Sequence, residues 1–133
     1  MEDVLSNRNK EILLVEDDLD IAELVEQALS ESDRSMTHVG SVAEALAVLE
    51  STVFDLAVLD IELRDGLVMP VADKLATLGI PYVFASAVYD QIVPARHRHA
   101  PFVAKPFQID KLKAEVQRAL ERSRARAGSV RSS

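Results

Sequence analysis

Three short apolar runs of this chain each end in a group that could do chemistry. The runs and the polar residues that follow them are 12–15 with Glu16 and Asp17, 56–59 with Asp60, and 102–104 with Lys105. If each run is a buried parallel strand, their carboxyl ends lie side by side, where ligand sites form in open α/β sheets. The layout therefore predicts one pocket that holds several carboxylates and a lysine.

The three carboxylates of this pocket would repel one another unless a cation or a proton relieved the repulsion. Glu16 and Asp17 end the first run, and Asp60 ends the second. Hard oxygen ligands, with no cysteine and no well-placed histidine, select Mg²⁺ or Mn²⁺. We therefore expect a magnesium or manganese site.

Lys105 adds a positive charge at the end of the third run, and Ser86 adds a hydroxyl at the end of a fourth run, 82–85. A phosphoryl group attached at Asp60 would need cationic and hydrogen-bonding partners of this kind. Phosphoryl transfer depends mainly on positioning and charge neutralisation, and a carboxylate can itself be the nucleophile. The residues thus point to phosphoryl chemistry at Asp60.

The elements that must position these groups alternate along the chain between strands and helices. Strands are predicted at residues 11–15, 36–39, 54–61, 82–85 and 102–104. Asp18 or Asp20 can cap the first helix and Ser41 the second, while Gly79 ends the third. Pro94 interrupts the fourth helical segment, and the final helix presents an apolar face of Leu112, Val116 and Leu120 that we expect in the core. Five strands alternating with about five helices predict a parallel, doubly wound α/β sheet.

The length of 133 residues and the absence of cysteine bound the remaining possibilities. They indicate a single domain at residues 10–121, preceded by a disordered segment at 1–9. The net charge of −7 argues against nucleic acid as a partner. The last segment, 122–133, carries four arginines and is expected to be a flexible basic tail. With no membrane-spanning stretch or signal peptide, the protein is expected to be cytoplasmic.

Four of these segments together resemble the receiver domains of two-component response regulators. The segments are ILLVEDD at 12–18, VLDIEL at 58–63 with Asp65 and Gly66, FASA at 84–87, and KPF at 105–107. The resemblance covers about residues 10–121. It implies a flavodoxin-like fold with five parallel strands in the order 2-1-3-4-5.

The resemblance also assigns roles to individual residues. It implies that Asp60 accepts the phosphoryl group and that Glu16 and Asp17 hold Mg²⁺. The backbone carbonyl of Glu62 would be a further metal ligand, and Lys105 would contact the phosphoryl oxygens. The remaining assignments are Ser86 as the switch hydroxyl, Phe102 as the switch aromatic residue, and Pro106 as the residue that shapes the loop after Lys105.

The chain departs from the family pattern in ways that bear on its output. The spacings from Asp60 to Ser86 and from Ser86 to Lys105 are short for the family, which predicts shortened third and fourth helices. Arg64 stands where proline is common, and Phe102 lacks the hydroxyl that is usual at its position. His97 and His99 have little ligand specificity and are expected to face solvent.

The sequence thus predicts a stand-alone receiver that is a phosphoacceptor signalling domain and not an enzyme. Its expected donor is a histidine kinase or a histidine phosphotransfer protein, and its output is expected to pass through contacts with another protein, with no membrane partner. The chain itself would be a monomer or a weak homodimer. Two alternatives stay open, namely an unphosphorylated receiver-like interaction module and a magnesium-dependent phosphohydrolase.

Overall fold

Seven strands and four α-helices make up the described part of the chain. The computed structural model describes residues 9–87, 92–105 and 108–132, the last ten of these for their backbone alone. The strands are β1 Lys10–Val15, β2 Arg34–Val39, β3 Leu56–Leu59, β4 Glu62–Leu63, β5 Gly66–Leu67, β6 Tyr82–Ser86 and β7 Phe102–Ala104. The helices are α1 Leu19–Leu29, α2 Val42–Ser51, α3 Met69–Leu78 and α4 Ile109–Ser132.

Five of these strands form one parallel sheet in the order β2-β1-β3-β6-β7. The strands β6 and β7 are the fourth and fifth strands of this sheet, so the expected order 2-1-3-4-5 and the flavodoxin-like fold are confirmed. The order reverses direction at β1, since β2 pairs on one side of it and β3 on the other. The carboxyl ends of β1 and β3 therefore lie beside each other at the position where doubly wound sheets form ligand sites.

The two faces of the sheet are covered by different helices. One face packs Leu13 and Val15 of β1 with buried residues of α2 and α3. The other face packs Ile12 and Leu14 with buried residues of α1 and α4. Alternate residues of one strand thus enter opposite cores, which explains why the central strands are apolar throughout. The expected core positions on the last helix, Leu112, Val116 and Leu120, are at most 4% exposed.

Three of the helix ends lie at capping residues that were predicted from the sequence. Asp18 caps α1 because its carboxylate accepts hydrogen bonds from the amides of Asp20 and Ile21. Ser41 caps α2 through a bond from the Glu44 amide. Helix α3 ends at Gly79, whose φ of 73° lies in the left-handed region that favours glycine.

The crossover between β6 and β7 is the segment in which a shortened fourth helix was expected. Its described part contains a 3₁₀ turn at Ala95–His97 and no α-helix. The prediction of about five helices is therefore corrected to four α-helices among the described residues. Pro94 precedes the turn and lacks the amide hydrogen that a longer helix would use.

His97 is buried, with 1% of its surface exposed, so the expectation that it faces solvent was wrong. Its Nδ1 lies 2.6 Å from the Tyr82 hydroxyl, and its Nε2 lies 2.6 Å from Asp73 Oδ1. Arg96 donates two further hydrogen bonds to Asp73. This network joins the turn to both β6 and α3, and it substitutes polar contacts for the packing of a helix. His99 is exposed, as expected.

A small antiparallel hairpin, β4–β5, follows the third strand of the main sheet and was not predicted. Arg64 and Asp65 form its turn, and Gly66 has a φ of 136°, which requires glycine. The sequence correctly indicated a turn at residues 64–66. The strands on either side of it are two residues long, too short to show a strand pattern in the sequence.

Three expectations concern segments for which little is described. Residues 1–8 and Pro106 lie outside the described residues. The helix α4 runs to Ser132, while the division of the chain at residue 122 stays a prediction. Among the described helices, none has the length and apolar character needed to cross a membrane.

Candidate functional site

Three carboxylates converge at the carboxyl ends of β1 and β3. Glu16, Asp17 and Asp60 each offer one oxygen, and these oxygens all lie within 4.8 Å of one another. Glu16 and Asp60 are buried, and Asp17 is half-buried. These side chains lie close together because β1 and β3 are neighbours and their last paired residues are Val15 and Leu59. Glu16 follows Val15 directly, and Asp60 follows Leu59.

Glu16 is fixed by contacts on both sides of its backbone. Its amide donates to the Val39 carbonyl at 3.0 Å, and its carbonyl oxygen lies 2.7 Å from His38 Nε2. The carboxylate accepts a hydrogen bond from the Asp18 amide at 3.1 Å. Burial raises the pKa of the Glu16 carboxyl above its ordinary value, and the hydrogen bond from Lys105 opposes that rise.

Asp60 is held at the end of β3 by its own backbone and by the next residue. The Asp60 amide donates to the Val15 carbonyl at 2.9 Å, which extends the pairing of β1 and β3 by one step. Its Oδ1 accepts a hydrogen bond from the Ile61 amide at 2.7 Å. Asp60 is 8% exposed, so burial and the hydrogen bond to Oδ1 both restrict the movement of its carboxylate.

Lys105 bridges two of the three carboxylates. Its Nζ donates to Glu16 Oε1 at 2.7 Å and to Asp60 Oδ2 at 3.2 Å. Burial lowers the pKa of the Lys105 ammonium, but the hydrogen bond to Glu16 and the charge of Asp60 outweigh it and leave the pKa above its ordinary value. Lys105 is therefore charged at neutral pH and offsets part of the repulsion in the cluster.

The two residues expected to act as a switch lie at the end of β6 and at the start of β7. Ser86 is the last residue of β6 and is 2% exposed, and its carbonyl accepts a bond from the Lys105 amide at 3.0 Å. Phe102 begins β7 opposite Phe84 and is partly buried against the core on the α2 and α3 side.

The sequence placed most of these residues correctly, although their roles stay predictions. Glu16, Asp17, Asp60 and Lys105 meet in one cluster, as the strand-end layout predicted. Glu62 begins β4 two residues after Asp60, and its side chain is exposed.

Sequence reasoning missed His38 as a neighbour of the site. His38 contacts the backbone of Glu16 from the end of β2. The rule used for the other strand ends considers the residues that follow a strand, whereas His38 lies within β2, one residue before its end.

The donor set fits a small, hard divalent cation. Three carboxylates offer oxygen ligands only, and a cation of this kind relieves the repulsion that Lys105 offsets in part. Such a site can bind an oxyanion between the cation and the lysine, and it leaves Asp60 in reach as a nucleophile.

Comparison with known proteins places this arrangement in a family. The family model for the response regulator receiver domain matches residues 12–117. Regulatory protein VirG of Agrobacterium tumefaciens is 32% identical over 129 residues, covering 92% of this chain and 47% of VirG. Transcriptional regulatory protein DltR of Streptococcus agalactiae is 29% identical over 126 residues, covering 90% of this chain and 56% of DltR. The chain thus spans about half the length of these curated relatives.

A solved structure supports the same assignment. SdrG from Sphingomonas melonis is 40% identical, with a TM-score of 0.71, and the match covers 84% of this chain and 96% of the SdrG chain. The family match extends from β1 into α4 and includes each of the four residues in the cluster. The chain therefore belongs to the receiver domains of response regulators.

Proposed function

We propose that this receiver accepts a phosphoryl group on Asp60 from a phosphohistidine of a histidine kinase or phosphotransfer protein. The observation that carries the proposal is the contact of Lys105 with both Glu16 and Asp60 inside a cluster of three carboxylates. A cap at a strand end would explain Asp60 alone. It would not explain why Glu16, Asp60 and Lys105, from the ends of three different strands, meet in one cluster.

Mg²⁺, or Mn²⁺, would be held by Glu16, Asp17 and Asp60, with the backbone carbonyl of Glu62 as a further ligand. Receiver domains generally bind Mg²⁺ through an acidic pocket, and this pocket has the matching oxygen donors. The ion would supply charge neutralisation for the phosphoryl oxygens. The protein supplies the orientation, because the backbone bonds of Glu16 and Asp60 fix both carboxylates.

In the proposed transfer, an Asp60 carboxylate oxygen attacks the phosphorus of the phosphohistidine. An oxygen–phosphorus bond forms, the phosphorus–nitrogen bond breaks, and the electron pair of that bond returns to the histidine ring. The product is an aspartyl phosphate. Lys105 is already within 3.2 Å of Asp60, so its ammonium can pair with the new oxyanion without a large movement.

The proposed readout uses Ser86 and Phe102. The added phosphoryl group carries a charge of about −2 and attracts hydroxyl and ammonium donors. Ser86 lies beside the site at the end of β6 and can turn toward the group, and Phe102 is the residue whose packing would then change. The edge formed by β7 would present the result to a partner protein.

The wider context of the chain stays a prediction. Receiver domains interact with histidine kinases or phosphotransfer proteins and act in signalling, which supports the donor proposed above. The stand-alone state stays a prediction, because the match covers 96% of the solved SdrG chain but only 47% of VirG and 56% of DltR. DltR is named a transcriptional regulatory protein, so the comparisons do not support the expected absence of a nucleic-acid partner, which was predicted from net charge. A cytoplasmic location also stays a prediction.

The proposal is tested by incubating the protein with acetyl phosphate and Mg²⁺ and measuring its intact mass. We expect the wild type to gain one phosphoryl group that is stable in acid and labile in base. Asp60→Asn should gain none. A wild type without the adduct would contradict the phosphoacceptor proposal and favour an interaction module. Sustained phosphate release from generic phosphomonoesters would instead indicate a phosphohydrolase.

A further inference from the structure

We propose that Asp65 is a positioning residue for the acidic site, because it anchors the hairpin that follows Asp60 to the start of helix α2. The inference rests on the proposed function, since it concerns how the chain holds the backbone carbonyl of Glu62 as a metal ligand. It assigns a role to a residue that contacts neither the metal ligands nor the phosphoryl group.

The anchor consists of two hydrogen bonds that cross more than twenty positions of sequence. Asp65 Oδ1 accepts from the Val42 amide at 2.8 Å, and Oδ2 accepts from the Ala43 amide at 3.1 Å. These amides open helix α2, where backbone donors have no intrahelical acceptor. Ser41 satisfies only the next amide, that of Glu44.

The charge of Asp65 suits this position. A carboxylate at a helix N-terminus is stabilised by the helix dipole and by charge-assisted bonds from the amides. The hydrogen bonds from the amides of Val42 and Ala43 lower the pKa of Asp65 below its ordinary value. The residue is therefore ionised at neutral pH, and both of its oxygens are engaged.

The hairpin needs such an anchor because it is very short. Its pairing consists of Glu62 with Leu67 and Leu63 with Gly66. An isolated hairpin is marginal in water even when it is longer. Two apolar contacts help, since Leu63 and Val68 are buried, but Leu67 is 44% exposed.

A second link between the hairpin and α2 is weaker. Arg64 lies 3.6 Å from Glu44, and the two side chains are 64% and 55% exposed. Exposed ion pairs at this distance contribute little to stability. The two links start from adjacent residues of the same turn, so removing each in turn compares a strong anchor with a weak one.

The hairpin sets the backbone beside the phosphoacceptor. The Asp60 carboxylate accepts from the Ile61 amide, and the Ile61 carbonyl accepts from the Val68 amide at 2.9 Å across the base of the hairpin. Glu62 follows directly and begins β4. If Asp65 releases the turn, the backbone at Glu62 gains freedom, and its carbonyl must be ordered when the metal binds.

The main test is the dissociation constant for Mg²⁺, measured by isothermal titration calorimetry on folded protein. We expect Asp65→Ala to weaken binding by roughly tenfold, as removal of groups that orient metal ligands does. Asp65→Asn should also weaken Mg²⁺ binding. Its side chain has one acceptor oxygen, and its NH₂ group would face the second backbone amide, which needs an acceptor. Arg64→Ala, the matched control, should stay within about twofold of the wild type.

A second readout needs no metal. In chelator, hydrogen exchange of the Val68 amide should be faster in Asp65→Ala than in wild type, because this bond closes the hairpin. If Asp65→Ala does not fold, Asp65→Asn decides both measurements.

Two outcomes would overturn the inference. One is an unchanged Mg²⁺ dissociation constant in a folded Asp65 variant whose melting temperature has fallen, which would show a cap and nothing more. The other is an unchanged exchange rate at Val68. A wild type that binds no Mg²⁺ would instead contradict the proposed metal site itself, and the exchange measurement would still judge the anchor.

Discussion

Lys105 Nζ lies 2.7 Å from Glu16 Oε1, nearer than the 3.2 Å that separates it from Asp60 Oδ2. The side chains of Lys105 and Glu16 are only 14% and 3% exposed. Two charges this far from water cost free energy unless they compensate each other. Lys105 is thus a counter-ion of the buried acid in addition to its proposed role as a phosphoryl ligand.

Removing this counter-ion should destabilise the metal-free protein. Lys105→Ala leaves Glu16 and Asp60 facing each other without a positive charge. We expect the free energy of unfolding to fall by about 2–3 kcal/mol, somewhat below the cost of breaking a fully buried pair. Urea denaturation at neutral pH in the presence of chelator measures the loss.

Lys74→Ala is the matched control for that experiment. Lys74 pairs with Glu50 at 3.6 Å, and these side chains are 37% and 72% exposed. Solvent screens such a pair, so its removal should cost no more than about 0.5 kcal/mol. Equal stability of the Lys105 and Lys74 variants would show that the cluster does not need its lysine.

Mg²⁺ should raise the melting temperature of the wild type. For a dissociation constant of about 1 mM, about 10 mM Mg²⁺ adds roughly 1.4 kcal/mol to the folded state. This corresponds to a rise of about 5 °C for a domain of this size. Differential scanning calorimetry with and without Mg²⁺ tests the expectation, and a melting temperature indifferent to the ion would count against the site.

Two variants locate the effect of Mg²⁺. Glu16→Gln removes a proposed ligand charge and should lose most of the rise in melting temperature. Glu62→Gln should keep the rise, because its side chain is exposed and its proposed ligand is the backbone carbonyl. A reversed pattern would assign the metal to the hairpin surface instead of the strand ends.

The sheet and its carboxyl-end cluster could be predicted because both depend on local patterns. An apolar run followed by a carboxylate or lysine marks a strand and its end, and parallel pairing then brings distant ends together. Asp60 and Lys105 are 45 positions apart, yet their contact follows from the order of strands. Caps such as Asp18 and Ser41 were also predictable, since their partners lie within three residues.

The missed features depend on contacts between distant, polar residues. His97 is buried because Tyr82 and Asp73, from a strand and a helix, satisfy both of its ring nitrogens. A histidine flanked by arginines carries no local sign of such partners. The anchor at Asp65 was missed for the same reason, because a turn signal does not reveal which helix its side chain will cap.

The buried histidine gives a further test of the fold. His97→Ala would leave a cavity and remove the hydrogen-bond partner of the Tyr82 hydroxyl, and Tyr82 is 4% exposed. We expect the free energy of unfolding to fall by about 3 kcal/mol. His99→Ala, two residues further along and exposed, should cost less than about 1 kcal/mol. Similar losses in the two variants would contradict the buried network.

The carboxylate that ties this network together should make stability depend on pH in the acid range. The hydrogen bond from Arg96, followed by that from His97, lowers the pKa of Asp73 from 3.8 to about 2. A pKa that is lowered in the folded state contributes stability at pH values above the pKa of the unfolded state. That contribution is lost as the pH falls through the pKa of the folded state.

Asp73→Asn should therefore be less stable than wild type at neutral pH, by no more than about 1 kcal/mol because the Asp73 side chain is 47% exposed. The difference should shrink between about pH 4 and pH 2, measured by denaturation at each pH. A deficit of the Asp73 variant that persists at pH 2 would show that shape, and not charge, joins α3 to the turn.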